Sequence, residues 1–131
     1  MVQEVYDFLK KSGTYYLATI DGNKPRVRPF GTVDVFENKL YVQTGKVKSV
    51  SKQIKANPNV EICAMLDDKW IRIEAVLVED DRREARQHML AAYPSLKSMY
   101  SADDGNTQVF YLKDATAIIS SFAEEPKTIT F

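Results

Sequence analysis

Cysteine and histidine are nearly absent from this chain: it has one Cys, Cys63, and one His, His88. A single cysteine excludes an internal disulfide framework and a cysteine-based zinc site. A single histidine excludes any constellation that needs two. Net charge is absent too, because 18 basic and 18 acidic side chains cancel. That balance argues against a chain built as an electrostatic nucleic-acid binder. Glycine is sparse, at five residues, and neither GxGxxG nor GxxxxGK[ST] occurs. No apolar run approaches membrane-spanning length, so no membrane role is expected. No secretory or transit pattern opens the chain, which makes a cytoplasmic protein the expectation.

What is present is ordinary in amount and uneven in placement. The 131 residues have room for one domain, 1–131, with a genuine core. Residues 1–60 hold ten basic and five acidic side chains; residues 61–131 hold eight and thirteen. Between Lys39 and Lys55 lie five lysines and no acid. Within that stretch the apolar run Leu40-Tyr41-Val42 meets Gly45, and then Lys46, Lys48 and Ser49. A strand feeding a basic helix N-terminus is an anion site, since free N–H groups and the helix dipole face the anion. Lysine at that position opposes the dipole, by roughly 0.3–1 kcal/mol. A bound phosphate would offset the cost.

Periodicity outlines the rest. Val2, Val5, Phe8 and Leu9 predict a helix over roughly 2–11, ended at Ser12-Gly13. Strands are expected over 14–20, 25–36 and 39–44, with Asp21-Gly22-Asn23-Lys24 as a hairpin turn. Pro29 suits an edge or a bulge. Ser49–Ala56 reads as a helix closed by Asn57-Pro58. Strands 60–66 and 70–78 flank Asp67-Asp68-Lys69, and a helix runs from Asp81 to Tyr93. The final strands are 108–112, 116–121 and 128–131. Tight turns between neighbours make the sheet mainly antiparallel. The fold class is therefore mainly β (α+β): a six-stranded antiparallel closed or split β-barrel with flanking helices.

Several residues could carry chemistry. Arg26 and Arg28 share strand parity and so one face, where an anion between them would relieve repulsion. Trp70 opens a strand and reads first as packing, with stacking on a planar ligand as the other use. Cys63 lies in the apolar run Val60–Leu66 and is expected to be a buried, inert thiol. His88 reads as a solvated helix residue. Asp103-Asp104-Gly105-Asn106 lacks the oxygen spacing and closing Glu of a calcium loop, and no metal site is expected. No nucleophile–base pair emerges, so any chemistry would come from a cofactor.

The whole chain resembles the pyridoxamine 5′-phosphate oxidase-like FMN-binding split-barrel family, within it an uncharacterised bacterial subgroup. The likeness rests on Arg26-Val27-Arg28-Pro29-Phe30, on Leu40-Tyr41-Val42-Gln43-Thr44, on the run from Lys48 to Pro58, and on Trp70-Ile71-Arg72-Ile73-Glu74. Gln108–Leu112 through Ser121-Phe122 adds to it. The resemblance implies a homodimer with two FMN molecules between protomers. Arg28, Pro29 and Phe30 would line the flavin ring and phosphate side. Gln43 and Thr44 would bond the ring or ribityl chain, and Lys46, Lys48 and Ser49 the phosphate. Trp70 would reach the flavin across the interface.

Departures narrow the expected activity. Family members that oxidise pyridoxamine phosphate carry an Arg-Lys pair where this chain has Ser49 and Val50. They also carry a C-terminal Arg and His, whereas Glu124–Phe131 has neither. Pyridoxamine phosphate oxidase activity is therefore not expected. Ala75 replaces a usual Gly, which bears on a bulge. The first functional expectation is a flavin-dependent oxidoreductase of unknown small-molecule substrate. The alternative is a non-catalytic protein holding flavin or another cofactor, and a small barrel binding nucleic acid ranks behind both. FMN and a deazaflavin are not distinguished by sequence.

Overall fold

Helix α1, Val2–Ser12, forms where apolar side chains recur at helical spacing, and it buries Val5, Phe8 and Leu9. Lys10 and Lys11 sit in its last turn, favourably for the helix dipole. Gly13, at φ 78°, ends it, and its N–H reaches the carbonyls of Leu9 and Lys10. That φ explains the glycine, because a Cβ would be strained there. The computed structural model describes residues 1–131.

Eight strands follow: β1 Tyr15–Asp21, β2 Lys24–Phe30, β3 Asp34–Phe36, β4 Lys39–Gly45, β5 Asn59–Leu66, β6 Lys69–Glu79, β7 Thr107–Ser121 and β8 Lys127–Thr130. They make one antiparallel sheet in the order β2-β1-β5-β6-β7-β4-β3, with β8 also on β7. Helices α2, Ser49–Ala56, and α3, Arg83–Ala92, complete the chain with a short 3-10 turn, Pro94–Ser98. The sheet coils into a barrel that is split between β2 and the β3–β4 hairpin. The loop after β2 crosses the split: Tyr15 Oη donates to Thr32 O, and Gln43 N–H donates to Thr32 Oγ1. Helix α2 packs on β1 and β4, so it bridges the open side.

The sheet has eight strands, not the six expected of the barrel, because all eight strand segments outlined from the sequence join one sheet, with one division and one merger that leave their number unchanged. One expected strand, 25–36, is two, because residues 31–33 leave the sheet between β2 and β3. The expected pair 108–112 and 116–121 is one long strand, β7, that stays paired across the break. At that point Asp114 takes φ 52°, and the β6–β7 register shifts between Glu74 and Val76. The bulge is thus kept with Ala75 in place of glycine. The rest of the outline matches to within two residues.

Alternation sets what is buried. Leu17, Ile62, Ile71, Ile73 and Ala117 point inward and form one core with α1 and with Val50 and Ile54 of α2. Truncating a buried Ile such as Ile73 to Ala would cost about 2–5 kcal/mol. The opposite parity of β1, β2, β5, β6 and β7 faces out, carrying Tyr16, Val27, Met65, Ile118 and Phe122 as exposed apolar side chains. Cys63 belongs to that outer row, between Tyr16 and Arg72 across the sheet, and is exposed. The expected buried thiol is corrected by strand parity: Ile62 and Ala64 take the interior positions.

Candidate functional site

The split side of the barrel gathers cations without counter-charges. Arg28 projects from the inner face of β2 toward α2. Its Nη1 donates to Leu17 O at 3.1 Å and Thr19 Oγ1 at 2.8 Å, and its Nη2 donates to Gln53 Oε1 at 2.6 Å. Thr19 Oγ1 in turn donates to Gln53 Oε1 at 2.6 Å. Three guanidinium N–H groups are spent on neutral acceptors and two are not. No carboxylate pairs with Arg28, although Arg26 beside it pairs with Asp21. Burial, and then the Arg26 charge, lower the Arg28 pKa from its ordinary value. A group held that way gains from an approaching anion.

The lysines continue the pattern. Lys46, Lys48, Lys52 and Lys55 form no salt bridge, as is true of most lysines of the chain, whereas Lys69 and Lys127 and every arginine but Arg28 do. Lys48 is the N-cap of α2, with φ −80° and ψ 149°. Its side chain has no acceptor for the first-turn amides, no side chain caps the helix, and no acid lies in that turn. Lys46, Lys48 and Ser49 therefore stand together at an uncapped helix mouth. Beside it, Ser49, Lys52 and Gln53 line a recess of about 270 Å³ against the β1–β2 hairpin.

The mouth is braced from β7. Lys46 N–H donates to Asn106 O at 2.8 Å, and Val47 N–H donates to Asn106 Oδ1 at 3.2 Å. A Cβ on Gly45 would meet the Asn106 side chain at 3.0 Å and the Tyr100 ring at 3.3 Å, so glycine lets these segments close up. The Asp103–Asn106 loop is organised by Asp104, which accepts from the N–H groups of Ser101, Asn106 and Thr107. Those bonds hold its carboxyl well below the usual carboxylate range. The loop's oxygens are thus spent within the chain: Asp104 on the loop's own backbone, Asp103 on Arg83 and Asn106 on the mouth.

Strand parity divides the other candidates. Thr44 shares the inward row of Leu40 and Val42 and sits opposite Gln108 on β7. Gln43 shares the outward row of Tyr41, opposite Val109, on the side that α3 covers. Gln43 is 6% exposed, and its buried Oε1 has no hydrogen-bond partner. A buried carboxamide oxygen without a donor costs about 1–3 kcal/mol. Phe30 packs inward beside Tyr15, while Pro29 faces out. Trp70 opens β6 far from this mouth, with Phe122 at 5.1 Å between ring centroids. Six residues of extended strand, roughly 20 Å, separate it from Val76 near α2. Within one chain Trp70 and Lys48 are not brought together.

Sequence reasoning missed Gln53 and Thr19, which orient Arg28. The signal was present, since Gln53 lies one helical turn after Ser49. His88 is exposed on its helix, as expected, but it has a partner that the sequence reading did not name. That ring is half-exposed, with Nδ1 at 2.6 Å from Oδ2 of the buried Asp34 and the ring 4.7 Å from Phe36. One side of it ties α3 to β3 and the other stands in solvent. No helix is long and apolar enough to cross a membrane.

Residues 1–121 match the family model described as pyridoxamine 5′-phosphate oxidase. The crystal structure of a NimC/NimA family protein from Clostridium acetobutylicum is similar at 44% identity and TM-score 0.97, covering 99% of this chain and 92% of that one. General Stress Protein 26 from Bacillus anthracis str. Sterne is similar at 19% identity and TM-score 0.73, covering 100% of both chains. A heme binding protein from Mycobacterium smegmatis is similar at 13% identity and TM-score 0.71, covering 93% of this chain and 57% of that one. The last two likenesses are of fold alone. No match was found among curated proteins.

Proposed function

This chain belongs to the pyridoxamine 5′-phosphate oxidase family, and from that premise we propose that it is an FMN-dependent oxidoreductase, active as a homodimer, of a small-molecule substrate still to be identified. One observation carries the reading. Arg28, Lys46 and Lys48 stand at the N-terminal end of α2 with no ion pair to a carboxylate, and Arg28 is the one arginine of the chain without such a pair. A phosphate dianion is the counter-charge such a cluster fits.

The residues present fit FMN. Arg28 keeps two N–H groups for a phosphate and is fixed in direction by Thr19 and Gln53. Lys46, Lys48 and the amides behind Ser49 would take the remaining oxygens. Thr44 is the polar group of β4 on the side of the mouth, whereas the Gln43 oxygen is buried on the face that α3 covers and is not offered to a cofactor there. When bound, FMN would supply reversible hydride transfer. The chain's contribution would be position and electrostatics.

The outer sheet face supports the homodimer reading. Val27 at 69% and Phe122 at 100% exposed, with Tyr16, Met65 and Ile118, are exposed apolar side chains around the Arg72–Glu61 ion pair on that face, and a partner would cover them. Trp70 shares that face, opposite Met65, so it is available to a partner seated there. The sequence departures at Ser49, Val50 and Glu124–Phe131 stand, so pyridoxamine phosphate is not the proposed substrate.

A second reading has one observation behind it. The Asp34–His88 bond leaves Nε2 of a half-exposed imidazole free, a ligand geometry, and the heme binding protein from Mycobacterium smegmatis shares the fold. The visible absorption spectrum of the purified protein separates the two readings. Flavin bands, with FMN identified by mass after release, would support the first. A Soret band lost on His88→Ala would favour the second. A deazaflavin mass would keep the site and change the cofactor.

A further inference from the structure

Helix α2 has a second flank. Gln53 and Ser49 face Arg28 and the hairpin, whereas Ser51, Ile54 and Lys55 face the opposite way. That opposite flank borders a cleft of about 640 Å³, closed on its far side by β6 and β7. Small-molecule sites fall in this size range and combine apolar walls with a few placed polar groups. Here Leu77 and Phe110 supply apolar wall, and Lys46, Lys52 and Lys55 stand around it. Glu79 is the one carboxylate among the lining residues, and it pairs with none of these lysines.

The polar group inside the cleft is the second observation. Gln108 is 8% exposed and lines the cleft. Its Oε1 is taken, because Ser51 Oγ donates to it at 2.5 Å. That bond fixes the carboxamide and leaves its NH₂ to the cleft side, where it donates to no group of the chain. The side chain is held nearly buried while its NH₂ keeps access to the cleft, so a fixed donor stands among three lysines that form no ion pair, an arrangement that an anionic acceptor suits.

We propose that this cleft is a site for a small organic anion: an apolar, ring-sized body against Leu77 and Phe110, with a carboxylate or similar group on the Gln108 NH₂ and the lysines. The site does not depend on the flavin reading. It lies across α2 from Arg28 and shares only lysines with the phosphate mouth.

The test uses the purified full chain, with whatever cofactor it carries, and 2-naphthoate as the probe. Calorimetry and ¹H–¹⁵N NMR follow the titration. The expected result is saturable binding of one probe per chain, with the Gln108 side-chain NH₂ among the most shifted resonances. The cation 2-naphthylmethylammonium should bind at least about tenfold more weakly, the discrimination expected of a charge-assisted contact. Lys52→Gln with Lys55→Gln should weaken naphthoate by about tenfold, and Lys55→Gln alone by less, both with unchanged melting temperature. Absence of saturable binding, equal affinity for the ammonium probe, or unchanged affinity in the double variant would each overturn the site. Release of a bound flavin in step with naphthoate binding would overturn it too, by placing the anion in the phosphate mouth.

Discussion

The two flanking helices α2 and α3 handle positive charge in opposite ways. Around α3, each arginine has a carboxylate. Arg82 bonds Asp80 and Glu37, Arg83 bonds Asp103 with two nitrogens, and Arg86 bonds Asp81. Asp80 also accepts from Tyr41 Oη at 2.7 Å, which ties α3 to β4. Around α2, Arg28 is held by neutral oxygens and the lysines by nothing acidic. The same charge thus serves two ends. At α3 it is neutralised within the fold and anchors a helix. At α2 it is left unpaired, with a cost in burial at Arg28 and an unfavourable helix-dipole position at Lys48. A fold retains such a cost where a ligand offsets it.

The largest expected effect comes from the face on which the α2 site would be completed. Ile118→Glu sets a charge in the outer apolar row. Size-exclusion chromatography should show monomer, and flavin per chain should fall to near zero while the fold survives. A monomer that keeps its flavin would separate the mouth from the interface.

Next is Arg28. Arg28→Ala removes charge-assisted bonds worth about 1.5–3 kcal/mol, so FMN affinity should drop about tenfold to a hundredfold by fluorescence titration. Arg28→Lys should recover little, since an ammonium cannot reproduce the guanidinium fork that Thr19 and Gln53 aim.

The α3 side should respond in stability and not in flavin. Asp80→Asn weakens the Tyr41 and Arg82 bonds, for an expected loss of about 1–3 kcal/mol in urea unfolding. Flavin content should not change. The Arg82 guanidinium, then the Tyr41 hydroxyl, hold the Asp80 carboxyl well below the usual range, against the opposing effect of burial. A depressed folded value means that its stabilisation is full above the ordinary carboxylate pKa, about 3.9, and is lost as pH falls below it. The wild type should therefore lose more stability than Asp80→Asn on acidification below about pH 4.

The smallest effect is the most pointed. Lys48→Ala should weaken FMN several-fold, more so at low salt. It should leave the cofactor-free protein as stable or slightly more so, because lysine at a helix N-terminus opposes the dipole by roughly 0.3–1 kcal/mol. Equal losses of stability and affinity would return Lys48 to the structural class that α3 occupies.

Much of this was legible in the residues. Val2, Val5, Phe8 and Leu9 marked α1, and the acid-free stretch Lys39–Lys55 marked the mouth. What was not legible depended on contacts distant in sequence. The joining of 108–112 with 116–121 turns on Asp114 accepting φ 52° opposite the Ala75 bulge, which no local pattern shows. Cys63 looked buried within an apolar run, but strand parity assigns it to the outer face. His88 is solvated as read, but its bond to Asp34 was not legible because that partner lies 54 residues away. Gln43 and Thr44 looked like one pair, and the pleat sends them to opposite faces.

The central claim, that the unpaired cations of α2 exist for a phosphate, is tested most directly by titrating FMN and riboflavin side by side. The two ligands differ only in that group. The account predicts much tighter binding of FMN to the wild type, with the gap closing in Arg28→Ala combined with Lys48→Ala. Equal affinity of the wild type for the two flavins would contradict it.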